Sequence, residues 1–353
     1  MLRQDVVAFL DERFPPTVAE EWDRSGLQVG PLDAPCRRAV VALDFGLDLV
    51  GRLQSVDLVV THHPLLFRPL DRVLPETPLG AKLEALLLSR TACYAVHTPY
   101  DSAQGGLGEV LAGCLGLGEV RPLAPRGRLV KLVVFVPHGH EDAMADALFR
   151  AGAGKIGNYG RCSFRAPGVG TFLAGPGTRP FLGEVGKEEH ADEARLETIV
   201  PGERLPHVLR AMREAHPYEE VAYDVYPLEN APSVHGLGRV GELPHAMEAG
   251  DVMRAFGRAL GEVEPQAVYG ELDREVRRVA VCGGSGGDLW EAALRSGADL
   301  YLTGELGYHH GLASSESGLT AVAFGHRETE RPFVAHVGRL LRERFPDLTV
   351  EER

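Results

Sequence analysis

Three imidazoles and two carboxylates stand out as the side chains able to do chemistry in this 353-residue chain: His62, His63, Asp101, His326 and Glu330. His62 and His63 are adjacent in VDLVVTHHPLLF. They follow an apolar, β-branched run of strand composition and precede Pro64, which has no N–H to continue a ladder. Within a strand, neighbouring side chains face opposite ways; just past its end the loop can turn both inward, one to each of two ions. His326 and Glu330, in GHRETE, are four apart, which on a helix places them a turn apart on one face, able to hold the same ion. Asp101, in HTPYD, follows the strand expected to end near His97. Taken singly, these residues have ordinary readings as loop histidines, a solvated helix face and an Asx-turn. Together they form a nitrogen and oxygen donor set without thiolate, suited to zinc, iron, manganese or nickel rather than calcium. One catalytic zinc uses three protein donors and keeps a place for water. Five donors fit two divalent transition-metal ions sharing a bridging carboxylate, a pair that acidifies bound water. His97, Tyr308 and His309 fall nearby by the same placement, with His97 and His309 expected to orient ligands or shuttle protons.

The elements that must position these residues read as one α/β unit used twice. RRAVVALDFGLDLVGRLQSVDLVVTHH, from Arg37 to His63, parallels RRVAVCGGSGGDLWEAALRSGADLYLTGE, from Arg277 to Glu305. Each opens on an Arg pair, passes an apolar strand and a Gly- and Asp-containing loop, and ends on Asp-Leu-x-x-Thr. Short strands follow in both, at Cys93–His97 before Asp101 and at Leu319–Ala323 before His326. Ligands of open α/β sheets bind beyond the carboxyl ends of the strands, so two such ends brought together make a natural metal cleft. Trp22, in EEWDRSGLQVG, is expected in the core or as a lid. Gly283 to Gly287 lacks the Lys-Ser/Thr of a phosphate loop and is expected to form a tight turn allowing close substrate approach.

Between the halves the pattern changes. LVKLVVFVP, EDAMADALFRAG and a later strand-helix-strand succession make two β-α-β passes, the signature of a ferredoxin-like α+β module, whose ends lie close enough for insertion into a host loop. The expected organisation is a first core half over 1–125, an insert over 126–228 and a second core half over 229–353. Hydrophobic residues at 44% and charged residues at 25% describe a globular chain. A net charge of −13 opposes a broad grip on nucleic acid. Five cysteines without a CxxC pair suggest buried thiols in a reducing compartment. No secretory signal and no bilayer-spanning run is apparent, so a cytoplasmic location is expected.

VVTHHPLLF, AVHTPYDSAQGG, AVCGGSGGDL, ADLYLTGELGYHH and GHRETE, in that order, resemble the GTP cyclohydrolase I type 2 homologue family, also called NGG-interacting-factor-three-like proteins. The resemblance implies a dinuclear site on His62, His63, Asp101, His326 and Glu330, and a toroidal homohexamer. HPYEE, at 216–220, is similar to the HPYE of trimeric PII/CutA-like proteins, which makes the insert PII/CutA-like. Glu305 replaces the family's usual Asp, and His310 an acidic residue. The resulting expectation is a metal-dependent hydrolase in which Asp101 bridges the ions and a metal-bound hydroxide attacks. The substrate would be a small molecule, with a nucleotide such as GTP implied by the resemblance. The alternative is a non-catalytic metal-binding assembly whose insert senses a ligand.

Overall fold

The computed structural model describes residues 1–126, 129–156, 159–229 and 234–353. It is a mixed α/β chain of two compact units: Met1–Arg126 with Val234–Arg353, and Gly127–Ser233.

The first unit contains two sheets. One has the order β1-β4-β3-β2-β15, from Gly26–Val29 (β1), Arg38–Ala42 (β2), Leu58–Thr61 (β3), Ala92–Ala95 (β4) and Thr349–Glu352 (β15). The other has the order β11-β14-β13-β12-β10-β5. Its strands are Gly118–Arg126 (β5), His235–Glu248 (β10), Ala267–Tyr269 (β11), Glu275–Cys282 (β12), Leu300–Thr303 (β13) and Thr320–Ala323 (β14). In both sheets three parallel strands (β2-β3-β4 and β12-β13-β14) are flanked by one antiparallel strand on the last of them. The Arg-pair and Asp motif has a backbone role in each. Asp57 Oδ2 accepts from the N–H groups of Arg37 and Arg38 at 2.7 and 2.9 Å, and Asp299 Oδ2 from those of Arg277 and Arg278 at 2.9 and 2.8 Å. The carboxylate thus takes the two amides that precede the parallel ladder with the neighbouring strand, which begins at Ala39 and Leu58 in one sheet and at Val279 and Leu300 in the other.

These strands read as continuous apolar runs because both faces are covered. Ala39 and Val41 of β2 face a core shared by both sheets, whereas Val40 and Ala42 face Leu49, Leu53 and Leu86. Leu300 and Leu302 of β13 join that shared core, and Tyr301 faces the other way. The helices Arg3–Arg13, Leu107–Cys114, Ala249–Ala259 and Pro332–Arg344 contribute Leu10, Leu111, Phe256 and Val337 to it. Each such side chain gains about 1.5–3 kcal/mol on leaving water.

Arg239, on β10, is wholly buried inside this unit. Its Nε donates to Glu109 Oε1 at 2.6 Å, Nη1 to the carbonyls of Gly236 and Gly238 at 2.6 and 2.7 Å, and Nη2 to those of Ala103 and Ser102 at 3.1 and 3.4 Å. Among the described residues no helix is long and apolar enough to cross a membrane. Cys36, Cys93 and Cys282 are buried free thiols, while Cys114 and Cys162 are partly exposed.

The second unit has a four-stranded antiparallel sheet, order β7-β8-β6-β9, from Leu129–Pro137 (β6), Ser163–Leu173 (β7), Glu188–Pro201 (β8) and Tyr223–Leu228 (β9). Helices Glu141–Arg150 and Leu205–Ala215 complete a β-α-β-β-α-β succession, and the strand order is that of a ferredoxin-like module. The unit extends to Ser233, past Leu228. The connection from β9 to β10 includes residues 230–233, which lie outside the described residues.

Candidate metal centre

All five expected donors meet in one cleft of the first unit. β3 ends at Thr61, and the Thr61 hydroxyl donates to the His63 carbonyl at 2.8 Å, turning the chain so that both rings point inward. Asp101 sits on the short helix Thr98–Ser102, which begins after β4, not in a simple turn. His326 and Glu330 are the first and last residues of the helix His326–Glu330. Gly325 precedes it with φ 107°, a conformation that L side chains rarely adopt, and this sharp turn starts the helix directly beyond β14.

Glu330 is the hub. Its Oε2 lies 3.0 Å from His63 Nε2, and its Oε1 lies 3.1 Å from His326 Nε2 and 3.6 Å from His62 Nε2. His62 Nε2 is also 3.5 Å from Asp101 Oδ1. Three of these atoms, His62 Nε2, Asp101 Oδ1 and Glu330 Oε2, are buried without a hydrogen-bond partner. Buried polar atoms normally find partners, and facing orphans of donor type fit a cation between them. Gly284, at φ 61°, makes room for the hub, since a Cβ there would lie 2.2 Å from Glu330 Oε1. The glycine loop expected to admit substrate therefore admits the Glu330 carboxylate.

The opposite ring nitrogens are committed elsewhere. His62 Nδ1 donates to the Val96 carbonyl at 3.1 Å. His63 Nδ1 pairs with Asp44 at 2.9 Å, and His326 Nδ1 lies 3.2 Å from Glu305 Oε1. This is the carboxylate–histidine arrangement that fixes the tautomer of metal-binding imidazoles. His97 repeats it, its Nδ1 2.8 Å from Asp23 Oδ1, while Asp23 also accepts from Ser25 and Thr98. One ring nitrogen of His97 lies within 4.8 Å of donor atoms of His62 and His63, and His63, His326 and Glu330 form a second such triplet. Among the described residues, these His and Glu groups could hold a metal ion.

The remaining expectations divide. His309 and Tyr308 are exposed on the helix Tyr308–Glu316 and do not line the cleft. Trp22 is not core: 53% exposed, it meets Phe67 and His97 at ring-centroid distances of 5.9 and 5.7 Å at the cleft mouth. His310 lies 3.5 Å from Asp288. Sequence reading missed Asp44 and Asp23 as ring partners. Asp44 closes β2 beside the cleft, a strand-end position that offered a signal; Asp23 offered none beyond its polar neighbours.

Without an ion the site is strongly coupled. Burial opposes the charged form of His63, but the carboxylates of Asp44 and Glu330 beside it prevail and raise its pKa from 6.5 to about 10. The hydrogen bond to Glu330 raises His326 to about 9 against burial. Burial alone would raise the Glu330 carboxyl, but the imidazoles of His326, His62 and His63 beside it hold it well below its ordinary range. Asp101 is raised by burial. The two histidine contributions favour the metal-free fold fully below pH 6.5 and are lost as pH rises through about 9 and about 10. A cation must expel both protons, so apparent metal affinity rises with pH until those values are passed. Calorimetric metal titration at neutral pH, in buffers of different ionisation enthalpy, is expected to record proton release; uptake without it would contradict these charge states. Asp44→Ala, which removes only the outer partner of His63, is expected to weaken metal binding about 10- to 100-fold. Competition with a chromogenic chelator measures it.

The chain also has well-matched relatives among known proteins. The "GTP cyclohydrolase 1 type 2 homolog" of Halalkalibacterium halodurans is 39% identical over 327 residues, covering 92% of this chain and 88% of that protein. The protein of the same name from Mycobacterium tuberculosis is 36% identical over 352 residues, covering 97% and 91%. The crystal structure of a Bacillus cereus protein related to NIF3 superposes with a TM-score of 0.83 at 36% identity, covering 99% of this chain and 96% of the other. The model of the Duf34/NIF3 (NGG1p interacting factor 3) family matches residues 1–352, and the chain belongs to that family.

Proposed function

We propose that this chain is a dinuclear metal-dependent hydrolase of a small molecule. The observation that carries the reading is the convergence of His62, His63, Asp101, His326 and Glu330 around the orphaned atoms of His62 and Asp101. His62, His63, His326 and Glu330 would hold two divalent ions of the zinc, iron, manganese or nickel class, with Asp101 between them. Bound there, the ions supply an acidified water and positive charge for a displacement.

The protein's own groups do the rest. Asp44, Glu305 and the Val96 carbonyl hold the three imidazoles in one tautomer. Asp23 orients His97, whose free nitrogen would move a proton to or from substrate. Trp22 and Phe67 flank the mouth of a cleft of about 540 Å³. No Lys or Arg stands among the described residues lining it, so a triphosphate would depend on the ions and imidazoles alone. This favours cleavage of a C–N or ester bond in a compact ligand over ring-opening of GTP, the reaction suggested by the relatives' name.

The test is a screen of metal-verified protein against nucleotide, phosphoester and cyclic amide pools. Turnover that disappears in Glu330→Gln supports the hydrolase; its absence across the screen overturns it. A proton role for His97 predicts that His97→Gln keeps its metal and loses kcat, and elemental analysis showing an ion lost would make His97 a ligand instead. The rival reading, a non-catalytic regulator with a PII/CutA-like sensing insert, is supported by the ferredoxin-like strand order and the HPYEE segment. It predicts ligand binding that depends on the insert, without turnover. A homohexamer is part of our proposal, and light scattering of the purified chain tests it.

A further inference from the structure

HPYEE, residues 216–220, plays no part in the metal centre. Its Tyr218, Glu219 and Glu220 line a cavity of about 460 Å³ that lies wholly within the inserted unit. The size suits a small metabolite.

Its walls are aromatic. The Tyr218 ring lies 6.3 Å from Phe172 at 58° and 6.1 Å from Phe181 at 47°, centroid to centroid, giving three tilted faces. Tyr218 is fixed from several sides. Its hydroxyl donates to Glu193 Oε1 at 2.9 Å, and its N–H donates to His216 Nδ1 at 3.1 Å. His216 in turn donates through Nε2 to the Phe135 carbonyl at 3.0 Å, so the His of the motif is a buried strut, kept neutral by desolvation. Glu219 is oriented by the Arg179 N–H at 2.8 Å.

The charge around the cavity has one sign. Glu193, Glu219 and Glu220 line it, and no Lys or Arg does among the described residues. An anion would meet three carboxylates, and an uncharged apolar ligand would leave them unused. A bare metal ion would find aromatic faces where it needs converging oxygens. Ring faces attract a cation within about 6 Å of their centroids, and fixed carboxylates reinforce the attraction. We infer that this cavity binds a small organic ammonium ion, its carbon substituents against Phe172, Phe181 and Tyr218 and its charge facing the glutamates. The site is independent of the metal centre and of any reaction there.

Calorimetry on the full chain, with choline and its uncharged carbon isostere 3,3-dimethylbutan-1-ol as probes, tests the inference. One choline per chain is expected, with the isostere binding about tenfold more weakly. Phe181 is 52% exposed, so Phe181→Ala should fold, as should Glu219→Gln. Each is expected to weaken choline about fivefold with melting temperature and metal content unchanged. Absence of choline binding, equal binding of the two probes, or variants that bind choline like the parent would each overturn the assignment.

Discussion

Glu330→Gln is expected to lose at least one bound ion and to weaken retention of the rest by about 100-fold or more, while the fold survives. Residues that only orient a metal-binding imidazole change metal affinity about 10- to 100-fold, and Glu330 faces the ring nitrogens of all three candidate imidazoles at 3.0 to 3.6 Å. The substitution keeps size and one oxygen, and removes the charge that holds His63 and His326 protonated in the metal-free chain. Two readings therefore move together: metal content by elemental analysis falls, and the pKa values of His63 and His326, followed by NMR, drop toward the ordinary value. Asp101→Asn should also cost an ion, without the second effect on His326. Unchanged metal content in both variants would refute the donor set.

Arg239→Met is expected to destabilise the first unit by about 3–5 kcal/mol, the range for breaking one side of a buried ion pair. Glu109 is 31% exposed, so water takes up part of its abandoned charge. The larger share of the loss comes from the carbonyls of Gly236, Gly238, Ser102 and Ala103, which together lose their donor. Urea denaturation of metal-free protein measures the effect. Arg239→Met with Glu109→Gln should recover only the ion-pair share, and full recovery by the double variant would mean that the carbonyls were never the larger cost. Ser102 adjoins Asp101, so metal affinity is expected to fall as well.

Much of the candidate metal centre could be read from the chain because the residues that meet there sit at strand ends. A strand buried on both faces leaves a continuous apolar run, and His62 and His63 interrupt theirs at the point where a parallel sheet presents its ligands. The i, i+4 spacing of His326 and Glu330 carried their placement on a single helical turn. The Arg-pair and Asp parallel between the halves was visible before its cause, a carboxylate holding the two amides that precede the parallel ladder in each sheet. What could not be read was pairing between distant loops. Asp23 meets His97, and Asp44 meets His63, through contacts that no periodicity encodes. Glu305, notable in the sequence only as a departure from the family pattern, turns out to face His326. Proximity in sequence misled for His309: its helix follows the correct strand, but the ring lies on the exposed face. Of the two readings of Trp22, core or lid, its 53% exposure removes the first, since the ring borders the cleft.

The two sheets share one scaffold, yet their strand ends carry different residues: the first half supplies His62, His63 and Asp101, and the second His326 and Glu330. An ion held among them, as proposed above, would be a removable cross-link between the two halves. It would clasp them as a disulfide does, without covalent chemistry. Separation of the halves would then have to wait for the ion to leave, and the lifetime of the native state would become a function of free metal. Two cells making the same amount of this polypeptide but differing in metal supply would keep it for different times, because proteases act on the opened chain.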